Sequence, residues 1–341
     1  MIRVVRSPQA RQHVPGAEIW IGMRTPGTEV PERVDAIEAA LATWPTVEAV
    51  AHDDDVLLAV HDASLVEHLR TVWDRWGEYG VDRVTPYLFP TAGMLGDLPL
   101  REPSAVHGAA GRYGYDTMTL IGPGTWESAR AAVDVALTCV DLVGHGAIYG
   151  LTRPPGHHVT RSAYGGSCYL NSAAVAAEAL RRSGHARVAI VDIDAHHGNG
   201  TQDVFYARGD VLYASVHVDP GAGWFPHYAG YADEVGLGEG AGCNVNVPLA
   251  PGIGDGPWLD AMRLLTDRVS SFGATALVVS LGVDAAADDP ESPLEITLDG
   301  YHAAGELLGS LGLATVALQE GGYHLPTLGD LVRATLEGIS G

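Results

Sequence analysis

The sequence predicts an α/β protein built on a mostly parallel sheet with helices on both faces, and three observations carry that prediction. Segments with apolar residues at three- and four-residue spacing alternate along the chain with short runs rich in Val, Ile, Leu and Ala. Those runs are apolar almost throughout rather than at every second position, the pattern of strands covered on both faces. Four of them lead at once into groups of His, Asp, Gly and Tyr, where ligands gather beyond the carboxyl ends of parallel strands.

Helical spacing is present at 31–44, 63–76, 125–143, 171–184, 257–273, 297–312 and 327–339. The buried-strand runs are AIYGL (147–151), VAIVDI (188–193), VLYASVH (211–217), ALVVSLG (276–282) and ATVALQ (314–319). No repeat, low-complexity tract or linker interrupts the alternation, so one domain is expected over residues 1–341. The segment 80–123 breaks the rhythm with scattered Gly and Pro and little periodicity. An irregular stretch of that length shapes either a substrate entrance or a subunit contact.

With 46% hydrophobic residues the chain has ample material for one large core. No stretch approaches the roughly 18 consecutive apolar residues of a membrane helix. The start MIRVVRSPQARQHVPG lacks the apolar region of a secretion signal, so a cytoplasmic location is expected. Cys139, Cys168 and Cys243 are widely spaced and form no C-x-x-C, which leaves His and carboxylate as the ligands of any metal. The formal charge of −22 disfavours nucleic acid and attracts cations, so a small cationic substrate fits. All twenty basic residues are arginine, which excludes a lysine Schiff base and a P-loop lysine.

The four polar strand endings are TRPPGHH, DAHHGNG, VDAAADD and EGGYH. Parallel strands bring such endings to one edge, so His157, His158, Asp192, Asp194, His196, His197, Asp284 and Tyr323 are expected to share a crevice. A single Asp-x-His reads more simply as a helix cap beside a core histidine. Asp284 on a distant strand and the tandem histidines turn Asp194, His196 and Asp284 into the three ligands of an open hydrolytic zinc site. Asp192, two residues before Asp194 and on the same strand face, either orients a histidine or binds a structural cation. His157 and His158 supply acid and base. Tyr323, after two glycines, stands to donate to an oxyanion, although GGY alone is equally a turn with a surface tyrosine. His197, pointing away from its neighbour, is expected to be a packed, hydrogen-bonded support.

Taken with VHDASLVEHL, GPGTWESA, YGGSCYLNSAAVAA, DIDAHHGNGTQDVFY and VSLGVDAAADDP, these motifs resemble the histone deacetylase family, nearest its bacterial acetylpolyamine amidohydrolase branch. The resemblance implies an arginase/deacetylase-like three-layer sandwich. It implies one catalytic zinc on Asp194, His196 and Asp284, His158 as general base, His157 as its electrostatic partner and Tyr323 as oxyanion donor. It pairs Asp192 with His157 and Asn199 with His158. Many members carry aspartate at the latter position, and its replacement by asparagine lowers the His158 pKa. Potassium sites are implied at Asp192, Ser215 and the carbonyls of Asp194, His196 and Val216, and at carbonyls near Phe205, Arg208, Val211 and Cys243. The related binuclear manganese hydrolases need an aspartate where this chain has Gly198, so a single catalytic metal is expected.

Family members grip the substrate chain between two aromatic walls. This chain keeps Phe225 but has Ser167 after Gly166 at the second wall, which either widens the tunnel or leaves a gap for Tyr164 or Trp224 to fill. Glu291, with Asp288 and Asp289 nearby, matches a rim position at which some polyamine-selective relatives carry glutamate. Asp116 is the one carboxylate in VHGAAGRYGYDTMT, the stretch corresponding to an acidic loop of the branch. An acetylpolyamine is the leading substrate; another small N-acetylated metabolite, acetyl-lysine, or a weakly catalytic acyl-amine binding role are the alternatives. The branch tends to dimerise through its long loop, which implies a homodimer using 80–123.

Overall fold

Eight short strands pair side by side in one wholly parallel sheet in the computed structural model, which describes residues 2–80 and 82–341. In chain order the strands are β1 (Arg3–Arg6), β2 (Glu18–Trp20), β3 (Met23–Thr25), β4 (Thr46–Glu48), β5 (Ala147–Gly150), β6 (Val188–Asp192), β7 (Val211–Val218), β8 (Asn244–Leu249), β9 (Ala276–Leu281) and β10 (Ala314–Gln319). The sheet order is β4-β1-β5-β10-β9-β6-β7-β8, while β2 and β3 form a separate antiparallel hairpin. The five runs expected from sequence are the five contiguous central strands, β5-β10-β9-β6-β7. The strands that sequence reasoning missed flank them.

Alternate residues of one strand enter different cores. Val188 and Ile190 of β6 join one cluster, and Ala189 and Val191 join the other. The first core is closed by helices Ala63–Trp76, Val106–Tyr113, Thr125–Leu142 and Ser172–Arg182. The second is closed by Glu32–Ala40, Asp255–Phe272, Leu298–Gly309 and Leu325–Ser340. This is the expected three-layer arrangement. Caps set the helix starts: the Asn171 side chain accepts the Ala174 N–H, and that of Thr297 accepts the Gly300 N–H. Each fully buried Val, Ile or Leu contributes roughly 1.5–3 kcal/mol, so the strand ends leave a stiff, heavily packed platform.

The segment 80–123 is more ordered than its composition suggests, with short helices at Ala92–Leu95 and Val106–Tyr113. Val106, Ala109, Ala110 and Tyr113 are buried at helical spacing. Two interleaved glycines, Gly108 and Gly111, obscure that stripe in the sequence.

Candidate active site

The neighbours β5, β10, β9 and β6 end side by side, which brings the four polar endings to one place. One nitrogen or oxygen from each of Asp194, His196 and Asp284 lies within 4.8 Å of the others. His196 Nδ1 is 3.3 Å from Asp194 Oδ1 and 3.1 Å from Asp284 Oδ2. Both carboxylates are buried, at 1% and 0% exposure. Burial and the neighbouring Asp194 push the Asp284 carboxyl up to about 7. Burial works against the charged form of His196, but hydrogen bonds to Asp194 and Asp284 outweigh it and raise its pKa well above normal. Two buried carboxylates sharing one imidazole are a donor set short of positive charge, and a divalent cation supplies it. The residues therefore fit a metal.

Backbone groups hold these ligands from behind. Gly321 N–H donates to Asp194 Oδ2 at 2.8 Å, and Ala195 N–H donates to Asp284 Oδ1 at 2.7 Å. A Cβ at Gly282 would lie 2.1 Å from Asp194 Oδ2, and one at Gly321 would lie 2.3 Å from Asp284 Oδ2. Only glycine allows that approach.

His157 and His158 have ring centroids 4.0 Å apart but opposite electrostatics. His157 Nδ1 lies 3.0 Å from Asp192 Oδ2, which also accepts the Tyr213 hydroxyl at 3.1 Å. Burial would lower the His157 pKa, yet Asp194 and Asp192 push it up to about 10. His158 is held well below normal by burial, by the His157 cation and by His196. Its Nδ1 lies 2.8 Å from Asn199 Oδ1. The assigned amide oxygen accepts, so Nδ1 carries the proton and Nε2 keeps a lone pair. The pair is divided into a cation and a neutral base.

Tyr323 is half-buried. Asp289 Oδ2 accepts its backbone N–H at 2.6 Å and that of His324 at 3.1 Å. Arg33 lies 4.8 Å from the Tyr323 ring centre and donates to the Gly322 carbonyl at 2.6 Å. Burial raises the phenol's pKa well above normal despite the Arg33 charge, which keeps the hydroxyl a donor. Asp289, expected near the rim beside Asp288, is instead a buried anchor of this loop.

At the mouth, the Phe225 ring stands edge-on to His158 at 4.7 Å. Gly166 and Ser167 both adopt a φ of 60°, and a Cβ at Gly166 would lie 2.4 Å from His158 Cδ2. Tyr164 and Trp224, the two candidates for the place beside Ser167, both pack on the cores, Tyr164 stacked on Tyr169 and His68 in the first and Trp224 against the second. The ring parallel to Phe225 is Tyr115, 6.4 Å away at 13°, a residue sequence reasoning did not single out. Asp116 does not offer the free carboxylate expected of it. Its oxygens accept the N–H groups of Met118, Thr119 and Gly166 and the Thr119 hydroxyl, so it shapes the wall. Glu291 is half-buried and accepts the Thr28 hydroxyl at 2.8 Å. Its acidic companion is Glu18 of β2, pushed up to about 7 by burial and by Glu291. The three-residue β2 carried no sequence signal for that pairing.

Asp192 and Ser215 are direct register partners on β6 and β7, and Ser215 Oγ is 2.8 Å from His217 Nδ1. Val216 follows on the same strand. Phe205, Arg208, Val211 and Cys243 surround the other end of β7. There the Phe205 carbonyl accepts the Arg208 N–H, and the Cys243 carbonyl accepts the Tyr213 N–H. His197 is packed beside His217, with Nε2 3.1 Å from Gln202 Oε1, the supporting role expected of it.

The profile of the histone deacetylase domain matches residues 27–339. The acetylpolyamine amidohydrolase of Mycoplana ramosa is 39% identical over 350 residues, covering 100% of both chains. Acetylpolyamine amidohydrolase 1 of Pseudomonas aeruginosa is 39% identical over 343 residues, covering 99% of this chain and 98% of its own. The crystal structure of the acetylpolyamine aminohydrolase from Burkholderia pseudomallei superposes with a TM-score of 0.93 at 37% identity, over 99% of this chain and 98% of that one. With four adjacent strand ends carrying a triad that fits a metal, a divided histidine pair and a half-buried tyrosine, the chain belongs to the histone deacetylase family, as a hydrolase of the deacetylase type.

Proposed function

We propose that this chain, as one catalytic domain, removes the acetyl group from a small cationic N-acetylated amine, an acetylpolyamine foremost. The observation that carries the reading is the division of labour at the histidine pair beside Asp194, His196 and Asp284. Zinc is the metal that this nitrogen and oxygen set would hold, and it supplies Lewis-acid polarisation when bound. His158 Nε2 accepts the proton of the attacking water and returns it to the leaving amine. The His157 cation, kept charged by Asp194 and Asp192, stabilises negative charge as it develops. Tyr323 donates its hydroxyl to the oxyanion. Phe225 shields His158 and flanks the substrate chain.

The preference for a cation rests on Glu18 and Glu291 at the rim, on the formal charge of −22, and on relatives named for acetylpolyamines. Potassium ions are proposed at the Asp192–Ser215 position and around Phe205, Arg208, Val211 and Cys243. Exposed Trp20, Ile21 and Met23 on the hairpin and Tyr87, Leu88 and Leu98 on the long loop support a homodimer. Among the described residues no helix is long and apolar enough to cross a membrane, and a cytoplasmic location is proposed. Chelation should abolish acetate release from acetylputrescine, and one equivalent of zinc should restore it. Zinc-loaded protein that releases no acetate from any N-acetylated amine would refute the proposal.

A further inference from the structure

The turn that carries His157 and His158 is held at both backbone carbonyls of the two residues and at the His157 N–H. Thr201 N–H donates to the His157 carbonyl at 3.0 Å, and the Tyr115 hydroxyl donates to the His158 carbonyl at 2.9 Å. The Gly156 and His157 N–H groups both donate to one oxygen, Glu320 Oε2, at 2.6 and 3.2 Å. Glu320 follows β10 and is 1% exposed, and its other oxygen, Oε1, is buried without a partner. An aliphatic side chain would fill this place without stranding a carboxylate oxygen. Packing therefore does not account for the residue, whereas the two converging N–H groups do.

Glu320 is itself anchored, since its backbone N–H donates to the Leu281 carbonyl at 2.9 Å and its carbonyl accepts from Arg33. The carboxylate thus ties the turn after β5 to the end of β10, which leads through Gly321 to Asp194 and through Gly322 to Tyr323. We propose that Glu320 is a positioning residue for the hydrolysis, fixing the tilt of both imidazoles against the metal triad through the backbone beneath them. This rests on the hydrolytic reading of the site.

Reach and charge separate in two conservative variants of the full-length, zinc-loaded protein. Glu320→Gln keeps an acceptor oxygen at the same distance and loses the charge; Glu320→Asp keeps the charge and withdraws the oxygen by one methylene. Glu320→Gln should hold kcat near that of the unsubstituted protein. Glu320→Asp should lower kcat about a hundredfold through misplacement of the histidines, with KM and zinc content unchanged. Amide exchange at Gly156 and His157, followed by mass spectrometry, should accelerate in Glu320→Asp and not in Glu320→Gln. That readout tests the positioning even if the chain releases no acetate, an outcome that would count against the hydrolytic reading alone. Glu320→Gln falling as far as Glu320→Asp, an unaffected Glu320→Asp, a loss confined to KM or zinc content, or unchanged exchange in both would overturn the proposal.

Discussion

The floor and the mouth of the site are built from different material. At the floor, Asp192, Asp194, His157, His158 and Asp284 are all at most 4% exposed, and each is hydrogen-bonded by groups from another part of the chain. At the mouth, Phe225, Tyr115, Glu18 and Glu291 come from a hairpin and loops, close to exposed residues such as Trp20 and Tyr228. The floor derives its rigidity from a sheet covered on both faces, and it carries the chemistry. Apart from Tyr115 and Phe225, which touch His158, the mouth stands clear of the reacting groups, and on the proposed reading the choice of substrate resides there.

Changes at the floor should cost most. His158→Ala removes the neutral base and should lower kcat by about 10²- to 10⁴-fold, with bound zinc unchanged by metal analysis. If the activity survives, another group takes the proton. Gly282→Ala places a Cβ against Asp194 Oδ2; overpacking of this kind destabilises by about 1–3 kcal/mol. Zinc affinity should fall with it, and thermal unfolding with and without zinc separates the two losses.

Changes at the mouth should be milder and confined to binding. Glu18, pushed up to about 7, is neutral below that pH and negative above it. KM for acetylspermidine should therefore fall as pH rises through 7, and Glu18→Gln should flatten the profile and raise KM severalfold while leaving kcat alone. A parallel drop in kcat would place Glu18 in the chemistry instead. The smallest effect belongs to a conservative change back at the floor: Asn199→Asp keeps the oxygen that meets His158, adds a negative charge beside it and should move the acid limb of kcat/KM to higher pH.

The same division governs what could be read from the sequence. The five central strands are buried almost throughout, so their apolar runs stand out. β1, β4 and β8 include exposed or half-buried residues over only three to six positions, so neither an unbroken apolar run nor a period registers. Asp194, His196, Asp284 and the histidine pair were legible because their residue types are unusual immediately after buried strands. Glu320 stood in plain view in EGGYH, but its role depends on Gly156, which comes into reach only through the β5–β10 pairing. Arg33 and Glu18 gave no signal, since each acts on a residue almost three hundred positions away. Asp116 misled because a carboxylate in a loop reads as free until the N–H groups that occupy it are known.

The central claim is tested most directly by steady-state hydrolysis of acetylspermidine, acetylputrescine and an acetyl-lysine tripeptide by the zinc-loaded protein, each assayed as released acetate with and without chelator. Chelator-sensitive turnover is expected, with kcat/KM highest for the acetylpolyamines. Equal or greater kcat/KM on the tripeptide would contradict the substrate assignment, and acetate release that persists in the fully metal-free protein would contradict the role given to Asp194, His196 and Asp284.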